Sequence, residues 1–540
     1  MRRAFWLGFL TLFLAACGTQ GGAPGRGSGE ASQGSYQAAE YRSVTIPSFD
    51  GTPIALTVFQ PALAPGETAP LILHGHGLGG HRIRGPEDTS TENPAISDAL
   101  FAAWRLGYYV ISFDQRGFGD SGGTVRVMDP EYEVRDVRAI LDWAEANLPR
   151  FNGRVGTFGA SYGGGFQLMT RVQDPRIRAM IPLVTWYDLP YSLFPNRVPK
   201  TAWNTLLLAA GALGSGGRMD PYIYQTYVES LLRGAPSSRA EAFFHYHSPS
   251  YFYERGLPLD PVDVLLVQGM RDTLFNLNEA YWNAMALLPK GGDVRLLTLQ
   301  GGHVLPYLQD STAFLPFGGG VDLVKVALAW FEEKLRGKRG AADFVPRLSV
   351  SLNNQEAVTF GRVEDLPVGG VGFDVPPTLL VPLKGISGTI EALLRVLRQP
   401  LAPYLPGGGD LPLVEGLVDA LLGPVFVPLK AVTEPTVLAG IPRFRLYVEG
   451  ALELVNPVIF VGLGVKKLDG SIQVVDEQVL PLKGFGKHEG MLVGVGEALS
   501  PGETLGLVLL GTSEQYLLHG SRLPFLAQVS GSVAVPTWKK

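Results

Sequence analysis

The sequence predicts an α/β protein with a helical cap, followed by an antiparallel β-sandwich of jelly-roll type. Three observations carry that prediction. Short apolar runs alternate with helical patterns over residues 41–340. An aromatic, helix-rich stretch at about 186–253 interrupts the alternation. From 341 to 540 the texture changes to short β segments separated by turn signals.

Taken in order, residues 1–16 read as a targeting segment. Met1, Arg2 and Arg3 make a basic start, and the apolar run from Ala4 to Ala16 is shorter than the roughly 20 residues a bilayer span needs. It ends in Leu14-Ala15-Ala16-Cys17, which resembles the lipobox of bacterial lipoproteins. The expectation is cleavage before Cys17, the one cysteine in the chain, and acylation of its sulfur. The protein would then be a membrane-anchored lipoprotein outside the cytoplasm, periplasmic or at the cell surface. At about 0.8 kcal/mol per buried CH₂, two or three acyl chains hold such a domain stably. Residues 17–40, rich in Gly, Ser, Ala and Gln, read as a flexible tether.

Ile54–Phe59 reads as an early strand, antiparallel to its neighbour. Pro70–Leu73, Tyr109–Phe113, Arg154–Phe158, Met180–Val184, Val264–Val267 and Val294–Leu299 are apolar on both faces, as buried strands of a parallel sheet are. Helical patterns separate them at Pro94–Leu106, Glu131–Leu148, Tyr162–Val172, Leu277–Leu288 and Val321–Leu335. The stretch 186–253 falls between two sheet strands and reads as a cap over the sheet's ligand-binding edge. Beyond 340, Arg347–Leu352 is the first of the short β segments assigned to the sandwich. An insertion at about 379–430 carries two helical patterns, Thr389–Arg398 and Leu413–Leu422.

Composition narrows the function. With 45 Lys+Arg against 50 Asp+Glu the net charge is −5, which leaves no basic surplus for nucleic acid. No Gly-rich segment ends in Gly-Lys-Ser/Thr, so no phosphate cradle and no cofactor is expected.

Gly159-Ala160-Ser161-Tyr162-Gly163 is a G-x-S-x-G sequence, and it follows a strand and opens a helix. That setting puts a serine hydroxyl on a sharp, strained turn, with glycines where strand and helix pass closely. The same pattern recurs at Gly119–Gly123, but Ser121 lies in a loop well after its strand and reads as structural. A nucleophilic serine needs a base, and the base needs an orienting carboxylate. Asp272 follows the strand Val264–Val267, and His303 follows Val294–Leu299, both at the sheet edge where open α/β folds bind ligands. His245, His247, His488 and His519 have poorer contexts. An oxyanion would take one N–H from Tyr162 and a second from the turn His74-Gly75-His76-Gly77, where the His76 backbone is the choice. A metal site from His74, His76 and His81 is the rival reading of that turn; without a nearby carboxylate or Cys cluster, no metal is expected.

These residues resemble a known family. The Gly-x-Ser161-Tyr162-Gly163-Gly164 elbow, the Asp114-x-Arg116-Gly117-x-Gly119-x-Ser121-Gly122 loop, the Asp272 and His303 loops and the appended β domain are similar to the Xaa-Pro dipeptidyl-peptidase and cocaine-esterase family of serine hydrolases. The resemblance covers roughly residues 41–540. It implies an α/β-hydrolase core, a helical cap and a C-terminal jelly roll beside the active site. It also implies ester or amide hydrolysis through an acyl-enzyme, with Ser161, Asp272 and His303 as the triad. Members often place a tyrosine hydroxyl in the oxyanion hole, whereas this chain has His74-Gly75-His76-Gly77 there, as ordinary esterases do.

Three functions follow from this reading. The first is an extracytoplasmic serine hydrolase acting on small esters or amides. The second is an Xaa-Pro dipeptidyl aminopeptidase, which would need a cap carboxylate for the substrate's amine: Asp188, Asp220, Glu229 or Glu241. The third is a catalytically inert lipoprotein whose β domain binds sugar or protein.

Overall fold

The computed structural model describes residues 35–88, 94–303, 323–380, 424–450, 457–516 and 527–539. The targeting segment 1–16, Cys17, most of the tether and both helical patterns of the 379–430 insertion lie outside the described residues.

A ten-stranded sheet forms the centre. Its strands are β1 (Glu40–Pro47), β2 (Pro53–Gln60), β3 (Ala69–Gly75), β4 (Tyr109–Phe113), β5 (Phe151–Ala160), β6 (Ile177–Leu183), β7 (Asp263–Gly269), β8 (Val294–Leu299), β9 (Leu348–Ser351) and β10 (Ala357–Phe360). They lie in the order β1-β2-β4-β3-β5-β6-β7-β8-β9-β10. From β4 to β9 every neighbour is parallel, and β2 runs antiparallel to both β1 and β4. Alternation along the strands builds two cores. Leu71, Leu73, Val264 and Leu266 face one side, and Ile72, Leu265 and Leu297 face the other. Helices α1 (Pro94–Arg105) and α10 (Leu323–Lys334) cover the second side. Helices α2 (Glu133–Asn147), α3 (Tyr162–Arg171) and α9 (Leu277–Leu287) cover the first. Strands apolar on both faces are therefore sandwiched between helices, as a parallel sheet requires.

Two expectations need correction. The tether is already tied down at Gln37, which forms an isolated bridge with Leu63 and donates its side-chain amide to the Pro61 carbonyl at 2.9 Å. Its side-chain oxygen accepts from the Tyr109 hydroxyl. The domain boundary at 340 also fails: the segment Arg347–Leu352 is not sandwich. Leu348 and Ser349 pair in parallel with Leu296 and Leu297 of β8, so β9 and β10 extend the central sheet. The glycine and basic residues near 340 mark a turn after α10, not the end of a domain.

Between β6 and β7 the chain forms α4 (Leu189–Leu193), α5 (Thr201–Gly214), α6 (Pro221–Arg233), α7 (Ser238–Tyr246) and α8 (Pro249–Tyr253). Local chemistry sets their ends. Asp188, Asp220 and Ser237 accept N-terminal amides of α4, α6 and α7, and Gly234 in the left-handed region closes α6.

The C-terminal residues form three antiparallel sheets. One orders β11 (Val371–Leu380), β21 (Ala527–Val535), β14 (Arg443–Gly450) and β18 (Gly486–Met491). A second joins β12 (Val425–Ala431), β20 (Thr504–Leu510), β15 (Val458–Lys466) and β16 (Ile472–Val474), with β17 (Leu480–Lys483) also on β15. The third holds β19 (Val495–Leu499), β13 (Thr436–Gly440) and β22 (Thr537–Lys539). Val448, Leu507 and Leu438, one from each sheet, share a single core, which makes the unit a sandwich. Among the described residues no helix is long and apolar enough to cross a membrane.

Candidate active site

Ser161 sits between β5 and α3 with φ 56° and ψ −117°, a strained conformation for a residue with a side chain. Its backbone is pinned on all sides. The Ser161 amide donates to the Leu183 carbonyl, and its own carbonyl accepts from Gly164, Gly165 and the Thr185 hydroxyl. The flanking glycines are steric necessities: a Cβ on Gly163 would lie 2.0 Å from the Gly75 carbonyl oxygen, and one on Gly159 would lie 2.6 Å from it.

The hydroxyl of Ser161 is 2.9 Å from His303 Nε2, and His303 Nδ1 is 2.8 Å from Asp272 Oδ2. Residues 142 and 31 positions apart in sequence thus make one continuous chain of hydrogen bonds, because β5, β7 and β8 all end at the same sheet edge. Asp272 is fully buried, and its second oxygen accepts the Leu274 and Phe275 amides, both at 2.9 Å. Trp203 and Phe275 meet the His303 ring edge-on at 5.5 and 5.2 Å.

The turn that presents Asp272 is braced from outside the sheet. Lys200, just before α5, donates to the carbonyls of Thr273 at 2.7 Å and Leu274 at 3.3 Å. Burial pulls this ammonium down to about 8, against the opposing pull of Asp272 and Glu279. Gln478, from the sandwich domain, donates to the carbonyls of Met270 at 2.9 Å and Asp272 at 3.0 Å. Gln268 caps the Phe275 carbonyl at 2.6 Å. Every carbonyl from Asp272 to Phe275 is therefore satisfied, which fixes the loop. Lys200 and Gln478 escaped sequence reasoning because nothing local marks them.

The His74–Gly77 turn lies against the start of α3, as the Gly163 contact requires. Its histidines are internally occupied. His76 Nε2 accepts the Gln115 amide, so its Nδ1 carries the proton and donates to the Gly77 carbonyl at 2.7 Å. Burial drives this ring down to about 4, keeping it neutral. His74 bonds the Ser112 hydroxyl, and His81 bonds the Arg82 carbonyl. Among the described residues no three His, Cys, Asp or Glu side chains are grouped to hold a metal. Tyr162 contributes a buried ring whose hydroxyl accepts the Met128 amide at 3.1 Å.

Ser121, the second match to the serine pattern, is structural. It is buried, donates to the Asp114 carbonyl at 2.6 Å and accepts the Ala55 amide.

An apolar cavity of about 90 Å³ opens beside Ser161 under the cap. Trp186, Leu193, Leu207, Ile223, Phe244 and Phe275 supply much of its wall. None of the four cap carboxylates lines it. Asp188 bonds His245 and Ser250, Asp220 pairs with Arg126, Glu241 pairs with Arg197, and Glu229 accepts from Gln225.

Residues 50–305 match the family model described as X-Pro dipeptidyl-peptidase (S15 family). The match spans 256 of the 540 residues, and the S15 family is what that segment is similar to. The S15 match ends just past His303 and so contains all three residues of the Ser161–His303–Asp272 chain. Beyond the matched segment, a solved CocE/NonD family hydrolase from Staphylococcus aureus aligns with 93% of this chain and 94% of its own, at 13% identity and a TM-score of 0.63. A solved alpha-amino acid ester hydrolase aligns with 95% of this chain and 98% of its own, at 15% identity and a TM-score of 0.61. Cap and sandwich included, the chain thus has the α/β-hydrolase-plus-β-domain fold of these structures. Among curated proteins, an uncharacterized 31.7 kDa protein from the traX-finO intergenic region of Escherichia coli is 32% identical over 119 residues, 22% of this chain and 38% of that protein. The chain spans about two-fifths of the length of the curated relatives it first matches. A putative serine esterase from Mycobacterium bovis is 28% identical over 180 residues, 32% of this chain and 28% of that protein.

Proposed function

We propose that this protein hydrolyses esters of small acyl groups through an acyl-enzyme on Ser161. One observation carries the reading: the Ser161–His303–Asp272 chain opens onto an apolar cavity that no carboxylate lines. In the proposed reaction His303 Nε2 takes the Ser161 proton as the hydroxyl oxygen attacks the ester carbonyl. Asp272 holds Nδ1–H and stabilises the imidazolium that forms. The Tyr162 and His76 backbone N–H groups receive the oxyanion. Collapse releases the alcohol, which takes the proton from His303, and water repeats the cycle on the acyl-enzyme.

Dipeptidyl-peptidase activity is the second reading, favoured by the S15 match. It needs an anionic group to hold the substrate's ammonium, and the engagement of Asp188, Asp220, Glu229 and Glu241 elsewhere speaks against it. An inert fold is the least supported reading, since an unused site has no reason to keep the serine, histidine and aspartate in bonding contact. Paired rates separate the first two: a short-chain p-nitrophenyl ester should turn over, and an Xaa-Pro p-nitroanilide should not. Clear anilide cleavage with the ester untouched would reverse the choice.

We also propose that the chain is lipid-anchored at Cys17 on the extracytoplasmic side, on the strength of Leu14-Ala15-Ala16-Cys17. Cys17→Ser should move the protein from the membrane fraction to the soluble one, and continued membrane association would refute lipidation there.

A further inference from the structure

The acyl cavity is not uniformly greasy. Two residues that line it, Asn204 and Thr226, each carry a buried side-chain oxygen, Oδ1 and Oγ1, with no hydrogen-bond partner. Each such group carries a desolvation cost that a partner would offset, and of the eleven among the described residues these are the two whose residues line the cavity. Thr226 is 2% exposed.

Each of the two can be given a role toward a ligand. A helical threonine normally returns its hydroxyl to a carbonyl of the preceding turn. Thr205 on α5 does so, donating to the Thr201 carbonyl at 2.7 Å, whereas Thr226 on α6 leaves that bond unmade. Asn204 is held in one orientation. Its amide nitrogen donates to the Leu193 carbonyl at 3.2 Å, and a flipped side chain would set oxygen against oxygen there. Its Oδ1 is therefore an acceptor and needs a donor from whatever enters. Thr226 can donate or accept. The two groups come from different helices, α5 and α6, and both border the cavity that begins at Ser161.

We propose that Asn204 and Thr226 are specificity-determining residues that select an acyl group interrupted by a secondary amide. The amide N–H would donate to Asn204 Oδ1, and the amide carbonyl would accept from the Thr226 hydroxyl. The rest of the acyl group would pack on Leu207, Ile223 and Phe244. A plain hydrocarbon acyl chain fills the same space but leaves both polar atoms buried and unpaired, and a site built to hydrogen-bond a substrate group discriminates against the analogue lacking it. This inference rests on the acyl-hydrolase reading and names its substrate class.

The test compares kcat/KM for p-nitrophenyl esters of N-acetylglycine, N-acetyl-β-alanine and N-acetyl-γ-aminobutyrate with the pentanoate, hexanoate and heptanoate of matching chain length. On the full-length protein, the best amide ester should exceed its hydrocarbon counterpart by about tenfold or more, as a hydrogen-bonded pair of this kind implies. Thr226→Val and Asn204→Leu should each cut that ratio severalfold, and Thr226→Ser, which keeps the hydroxyl, should hold it. Hydrocarbon esters equal to or faster than all three amide esters would overturn the proposal, and the unmodified protein alone gives that result. The two readings fail differently. If no ester turns over, the acyl-hydrolase reading falls; if esters turn over without amide preference, only this inference falls.

Discussion

Ser161 is held with φ 56°, and the cost of that conformation falls on its neighbours, since Gly159 and Gly163 leave no room for a Cβ against the Gly75 carbonyl. The strain turns the hydroxyl out of the helix toward His303. This much was legible in the sequence, because a serine flanked by glycines at a strand–helix junction has few other physical uses. Ser121 shows where pattern alone misleads: the same five-residue pattern there buries its hydroxyl on the Asp114 carbonyl. On the proposed mechanism, Ser161→Ala removes the nucleophile and leaves the fold intact. It should lower kcat for ester hydrolysis by about 10³-fold or more with an unchanged melting temperature. Retained turnover would remove Ser161 from the chemistry.

At the scale of elements, His303 and Asp272 were readable because each follows an apolar strand at the same sheet edge. What holds Asp272 was not. Gln478 lies 206 residues from Asp272, on a turn after β16, and no periodicity links them. β9 was misassigned for a related reason: four residues carry too little pattern to say that they pair with β8. The Gln478 amide satisfies two carbonyls of the acid loop. Gln478→Ala should leave them unpaired at a cost of about 1–3 kcal/mol. If Gln478 is a positioning residue, kcat should fall about tenfold with little change in KM. A drop in melting temperature alone, with kcat intact, would make its role purely structural.

Across the whole molecule, the contact between hydrolase and sandwich domains carries buried acid. Burial raises Asp476 and Glu497 to about 7 each, although Lys467 opposes the effect at Glu497. Asp476 accepts the Gly496 amide, and Glu497 accepts from Asn353 with Lys467 3.4 Å away. Glu503 and Arg271 also act on Glu497. A carboxyl whose folded value is raised holds a proton that the unfolded chain releases at about 4. Its contribution is therefore greatest below about pH 4 and is lost as pH rises through about 7. Melting temperature should fall between pH 5 and 8, and the Asp476→Asn, Glu497→Gln double variant should fall less, by about 2 °C or more. Identical pH profiles for the two proteins would show that these carboxyls do not titrate with folding. None of this was readable from composition, since 50 acids against 45 bases says nothing about which acids are buried.

The site of acylation tests the proposed reaction most directly. The full-length protein would be mixed with a p-nitrophenyl ester, quenched in acid before deacylation and digested, and the modified peptide identified by mass. One acyl group is expected, on Ser161, and none when Ser161→Ala is treated alike. Acylation at any other residue, or ester turnover with no adduct at Ser161 under single-turnover conditions, would contradict it.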